Sequence, residues 1–152
     1  MELAVQAFAT NIEASESIPQ LLGHEAGFAK HMYAFHRQRL RVDGFVREPN
    51  GGDLINQFVD NGNYMAYGLA ASVLCVLGIP HAFPVTHGMT RRGALVFDLA
   101  DCLKDAMLLP VSFESGVRKH KAQAHRAACL AALDKHKALA SLFDIMKKAG
   151  DL

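Results

Sequence analysis

The chain has 152 residues, 51% hydrophobic and 20% charged, with a net charge of +1 at pH 7. That length and apolar content suffice to bury one core, and the near-zero charge excludes the strongly basic footprint that would by itself mark a nucleic-acid binder. Three cysteines, Cys75, Cys102 and Cys129, are odd in number and lack C-x-x-C spacing, which argues against a disulfide framework or a thiolate zinc site and reads as reduced, mostly buried thiols.

Ala, Leu and Lys are abundant and β-branched runs few, a composition that favours helix. The expectation is an all-α fold, a single helical domain over residues 1–152 with a metal site between helices and one loop. About six helices are expected, near 2–13, 19–41, 53–77, 92–107, 115–135 and 137–149. Ser17 with Pro19, Asp53 and Ser115 are the expected helix starts, and Gly78-Ile79-Pro80 gives a firm stop. The N-terminus lacks the basic, apolar pattern of a secretory signal and no run of eighteen apolar residues occurs, so a cytoplasmic chain that does not span a membrane is expected.

In the second helix Leu21, Leu22, Phe28, Ala29, Met32 and His36 share one face, and Glu25 projects from its middle. A carboxylate on an apolar face must be protonated, paired with Arg or Lys, or bound to a cation, because an unpaired buried charge is heavily penalised. On this helix alone an ion pair is the simpler reading. His36 shares the face closely enough to support a ligand from behind. Residues 42–52, with Gly44, Pro49, Asn50, Gly51 and Gly52, read as a loop whose flanking helices carry apolar faces that need each other.

The third helix carries an apolar stripe, Leu54, Phe58, Gly62, Met65, Leu69, Val73 and Val76, in which Gly62 can admit another helix closely. Opposite it, Asn56, Asp60, Asn63 and Tyr67 form a polar row that faces solvent or lines a binding path. The following Pro84-Val85-Thr86-His87-Gly88 is expected to be a loop that leaves the His87 imidazole just ahead of the fourth helix. There Asp98, Asp101 and Asp105 fall within roughly 60° of each other on a helical wheel, beside the apolar Leu95, Leu99, Cys102, Leu103 and Ala106. Three acids along the border of a core repel, and a cation, Arg91 or Arg92, or raised carboxyl pKa values must relieve them. A solvated face is the plain alternative. The last two expected helices are rich in Lys and Arg.

Glu25, His87 and Asp101 form a candidate ligand set of carboxylates, one imidazole and no thiolate. Such a set suits an octahedral ion that prefers oxygen and tolerates nitrogen, which favours Mn²⁺ with Mg²⁺ as competitor over Zn²⁺.

Several runs resemble one known family. Asp53-Leu54-Ile55-Asn56-Gln57, Tyr67-Gly68, His87-Gly88 and Phe97-Asp98-Leu99-Ala100-Asp101 are similar to motifs of the CRISPR-associated spacer-acquisition integrase, and Leu21-Leu22-Gly23-His24-Glu25 resembles that family's first metal-ligand motif. Between Asn61 and Asp105 the wording looks closest to members from type I-F systems. The resemblance implies that Glu25, His87 and Asp101 hold a divalent metal and that Asp98 is a further catalytic acid. It implies a metal-dependent DNA endonuclease and integrase that cuts branched DNA and inserts spacers by phosphodiester transesterification. It covers the helical, C-terminal portion of a full-length member and not the N-terminal β-rich domain that contributes to its dimer. Implied partners are DNA, a second copy of the chain, and a CRISPR-associated small partner fused to a helicase-nuclease.

On that reading Arg91 and Arg92 are expected to contact DNA near the scissile phosphate, Lys30 to make a sequence-neutral phosphate contact, and Asn56 and Tyr67 to line the DNA path. The alternative is a non-catalytic DNA-binding or scaffold module that retains the family core. A nucleotide phosphohydrolase shares the ligand chemistry, but no Gly-rich phosphate loop supports it.

Overall fold

The structure is a computed structural model and describes residues 2–83, 85–86 and 92–150. It is helical and, among the described residues, contains no strand. The chain divides into two compact units, Met1–Asp43 and Gly44–Leu152.

The first unit is a helical pair, α1 (Glu2–Glu13) and α2 (Ile18–Arg39). The Ser17 side chain caps α2 by accepting from the Gln20 N–H at 3.4 Å, with Pro19 in the first turn, where its missing N–H costs nothing. Phe8 of α1 stacks on Phe28 of α2, ring centroids 4.3 Å apart. Arg41 takes a left-handed conformation just past the end of α2, and Val42 N–H closes back to the Arg37 carbonyl at 2.9 Å.

The second unit is built around α3 (Leu54–Val76), which packs against α4 (Ala94–Leu103), α5 (Leu109–Val117), α6 (Ala122–Lys135) and α7 (Ala138–Ala149). Asp53 caps α3 by accepting from the Asn56 N–H at 3.0 Å. Gly78, left-handed, ends it: Ile79 N–H reaches back to the Leu74 carbonyl at 2.9 Å, which satisfies a carbonyl that the helix end leaves open. Being surrounded on several sides widens the buried arc of α3. Ile55, Val59, Ala66, Ala70 and Leu74 are buried, whereas Val76, expected inside, is exposed. Small side chains lie where neighbours approach closest. A Cβ at Gly62 would stand 3.1 Å from the Ser112 hydroxyl, and one at Gly116 would stand 2.4 Å from Ile55 Cγ1. Ser112, fully buried, answers the same contact by donating to the Phe58 carbonyl at 3.1 Å or to Leu108 of its own helix at 2.9 Å.

The expected fourth and fifth helices are partitioned differently. Residues 94–117 run as one helical rod through a single π turn, Lys104–Leu108, in which Leu109 N–H bonds the Lys104 carbonyl five residues back. The wider turn absorbs Pro110, whose missing N–H would otherwise interrupt the ladder. Ser115 is therefore buried in α5 and starts nothing. The break comes at Arg118–Lys121, where Lys119 turns left-handed and the His120 N–H bonds the Ser115 carbonyl at 2.9 Å. With the π-interrupted rod counted as one, the described residues form six helical rods.

Leu95, Leu99, Leu103, Leu108, Leu133 and Leu142 close the core around the α3 alanines, each contributing about 1.5–3 kcal/mol of apolar burial. None of the three cysteines is in a disulfide; Cys129 is buried, and Cys75 and Cys102 are exposed, because α3 and α4 turn those positions out of the core. Among the described residues no helix is long and apolar enough to cross a membrane.

Candidate functional site

The acidic row on the α4 rod borders the core as its spacing requires: Asp98, Asp101 and Asp105 are all half-buried while Leu95, Leu99 and Leu103 beside them are buried. Asp98 is tied to the preceding loop. The Thr86 N–H donates to Asp98 Oδ2 at 3.2 Å, and the Thr86 hydroxyl donates to Oδ1. Thr86 immediately precedes His87 in sequence. On its other side Asp98 walls an apolar groove of about 460 Å³ shared with Ile79, Phe83, Val85 and Met146.

Asp101 pairs with Lys104, one turn along at the start of the π turn, both side chains under a quarter exposed. Burial disfavours the Lys104 ammonium, but Asp101, followed by Asp105 and Tyr67, outweighs it and raises the lysine pKa above its ordinary value. Burial pushes the Asp105 carboxyl up, Lys104 pulls it down, and the neighbouring Asp101 adds to the rise. Among the described residues, Lys104 is the ammonium paired on this edge, with Asp101. Sequence reasoning offered Arg91 or Arg92 as the answering cation and passed over Lys104, although its place three residues after Asp101 is an ordinary helical ion-pair spacing.

Tyr67 on α3 is half-buried, its ring edge-on to Phe97 at 4.9 Å. Phe97 directly precedes Asp98, so this contact holds the acidic helix against α3. Asn56 lies elsewhere. Only 1% exposed, it accepts from Arg47 at 2.9 Å and from the Glu48 N–H at 3.0 Å through Oδ1, and donates through Nδ2 to the Val46 carbonyl at 2.9 Å and to Asp53. The expectation that Asn56 lines a DNA path is corrected: its amide ties the loop before α3 to the helix, and burial removes it from any ligand. Asp60 of the same row pairs with Arg47 and accepts from the Asn50 N–H at 2.8 Å. The start of the polar row therefore fastens a loop.

Glu25 and Lys30 lie on α2 of the first unit, Glu25 half-buried and engaged and Lys30 exposed; His36, on the same helix, is buried edge-on to Phe35. Arg92 is exposed just ahead of α4. His87 and Arg91 lie outside the described residues. Among the described residues no three His, Cys, Asp or Glu side chains gather into a metal-binding cluster. What the second unit brings together is Asp98, Asp101, Lys104, Asp105, Tyr67 and the Thr86 end of the loop.

With this geometry in place, comparison with known proteins gives a consistent answer. No family model matches the chain. It is 44% identical over 149 residues to the CRISPR-associated endonuclease Cas1 of Pseudomonas aeruginosa (strain UCBPP-PA14), covering 97% of this chain and 46% of that protein. It is 43% identical over 134 residues to Cas1 of Pectobacterium atrosepticum, covering 84% of this chain and 41% of that protein. The chain thus spans under half the length of these relatives. Its fold matches the crystal structures of a TtCas1–DNA complex, with a TM-score of 0.74 at 22% identity over 94% of this chain and 57% of that one, and of TtCas1, with a TM-score of 0.73 at 23% identity over 93% and 57%.

Proposed function

Because the chain is homologous over 97% of its length to the Cas1 endonucleases, we propose that it is the helical part of a metal-dependent DNA endonuclease and integrase of CRISPR spacer acquisition. It cuts branched DNA and joins strands by attack of a DNA 3′-hydroxyl on a phosphodiester. The fold it shares with a Cas1 protein crystallised with DNA supports DNA as the partner.

The observation that carries this reading is the acidic edge of α4. Three half-buried carboxylates line this edge, and oxygen donors joined by one imidazole fit a hard divalent cation such as Mn²⁺ or Mg²⁺. Asp101 and His87 are the proposed ligands from this side of the chain, and Glu25 is the ligand that the sequence resemblance adds. When bound, the ion supplies Lewis acidity toward the scissile phosphate and lowers the pKa of the attacking hydroxyl. The chain's own groups do the rest. Asp98, held by two bonds from Thr86, is the proposed acceptor of the proton of the attacking hydroxyl. Lys104 neutralises charge at Asp101, and Tyr67 and Phe97 hold the acidic helix in place. Arg91, Arg92 and Lys30 are proposed phosphate contacts of sequence-neutral type. A cytoplasmic location, a homodimer and a small partner fused to a helicase-nuclease accompany this reading.

One observation favours a second reading. Lys104 already satisfies Asp101, as it would in a scaffold module that needs no metal. Titration of Mn²⁺ followed by electron paramagnetic resonance separates the two. The endonuclease reading expects saturable binding that weakens about tenfold or more in each of Asp101→Asn, His87→Ala and Glu25→Gln. Absence of binding by the folded wild-type chain overturns it.

A further inference from the structure

Tyr64 stands one turn before Tyr67 on α3 and is 66% exposed. A single exposed aromatic is ordinary, but this one walls a cleft. Asn61, Tyr64 and Met65 of α3 and Ala122, His125 and Arg126 of α6 enclose about 240 Å³. The floor is rigid, because the His125 ring is buried and stacked on Phe58 at 4.3 Å. The rim is chemically open. Among the described residues the side chains of Asn61, Tyr64 and Arg126 make no hydrogen bond or ion pair, and the Tyr64 ring meets the edge of Tyr67, centroids 6.2 Å apart.

A volume below the roughly 300 Å³ at which pockets for drug-sized ligands begin admits one planar ring system and not a whole nucleotide. The three rim groups are complementary to such a ring. An exposed tyrosine face stacks on any base, a side-chain amide offers both a donor and an acceptor to a base edge, and a guanidinium takes the adjoining phosphate. We propose that this cleft receives a single unpaired nucleobase, stacked on Tyr64, with Asn61 at its edge and Arg126 on the neighbouring phosphate. The proposal rests on the DNA reading above and assigns that substrate a second point of contact. Tyr64, Tyr67 and Phe97 form a continuous ladder of ring contacts, so the cleft lies two ring contacts from the helix that bears Asp98 and Asp101. A base taken from a duplex must first be unstacked, whereas an unpaired base in the arm of a branched DNA enters without that penalty.

The test uses the whole chain and two DNAs, a fully paired duplex and a branched DNA with 2-aminopurine in its unpaired arm. Stacking on Tyr64 predicts quenched 2-aminopurine fluorescence on binding. In Tyr64→Ala the quenching disappears and affinity for the branched DNA falls about tenfold, while duplex affinity is unchanged. Tyr64→Trp retains both signals, which separates loss of stacking from loss of folding. Tight binding of the branched DNA without quenching, or quenching that persists in Tyr64→Ala, overturns the cleft assignment alone. Failure of the wild-type chain to bind either DNA overturns the DNA reading, and the cleft with it.

Discussion

Lys104 lies against Asp101 across the first turn of the π segment, an ion pair formed within one rod with both side chains under a quarter exposed. On the proposed function a metal held by Asp101 would share that carboxylate with the ammonium. Lys104→Gln is expected to destabilise the metal-free chain by about 1–2 kcal/mol, between the values for exposed and buried pairs. Added Mn²⁺ should recover most of that loss. Thermal denaturation in EDTA and in Mn²⁺ measures both quantities, and an equal loss in the two buffers would separate Lys104 from the cation site.

Asn56 is a fastening and not a ligand. Its buried amide bonds Val46, Arg47, Glu48 and Asp53, partners that are themselves exposed or half-buried and can turn to water, so Asn56→Ala removes four hydrogen bonds and is expected to cost about 1–3 kcal/mol. Urea denaturation should show the lower midpoint. DNA affinity per folded molecule should be unchanged, and a selective loss of DNA binding at full stability would restore the role that spacing alone suggested.

The close approach of α3 and α5 makes Gly116 intolerant of a side chain. Gly116→Ala places a Cβ 2.4 Å from Ile55 Cγ1 and 3.0 Å from its Cα, and should cost about 1–3 kcal/mol through overpacking. In an Ile55→Ala background the nearest obstacle is gone, so the two changes should be less than additive by calorimetry.

Burial lowers the His125 pKa below its ordinary 6.5, against the Phe58 carbonyl bond that raises it, and His120 lowers it further. A histidine that resists protonation when folded contributes stability above pH 6.5, lost as pH falls through its lower folded value. The melting temperature should therefore drop from about pH 7 to about pH 5, less steeply in His125→Gln. Beside it the Cys129 thiol, 3.5 Å from the imidazole Nε2, is pushed up to about 11 by burial. A disulfide-exchange reagent at neutral pH should label Cys75 and Cys102 quickly and Cys129 only after unfolding.

Much of the fold was legible because α2, α3 and the break at Gly78 carry ordinary signals: Ser17 and Asp53 as caps, Gly78 as a left-handed stop. The acidic border of α4 was legible from its spacing. The 94–117 rod was not. The expected break between 107 and 115 contains Pro110, and nothing local announces that a π turn can absorb it. The true break at Lys119 holds neither Gly nor Pro. Asn56 shared a helix face with Asp60 and Tyr67, but a helical wheel does not show that residues 46–50 fold over its first turns and bury it. Lys104 stands at i+3 from Asp101, an ordinary helical ion-pair spacing, so the partner of Asp101 is legible in the sequence itself.

The acids of this chain are proposed to act with a metal on DNA. The measurement that tests this most directly is Mn²⁺-dependent cleavage of a branched DNA by the purified chain, with Asp101→Ala in parallel. Wild-type cleavage that EDTA abolishes, and that falls about a thousandfold or more in Asp101→Ala, is the expected result, since a catalytic metal supplies several kcal/mol to the transition state. Cleavage that is equal in the two proteins, or no cleavage by a folded wild-type chain that binds both Mn²⁺ and DNA, would contradict it.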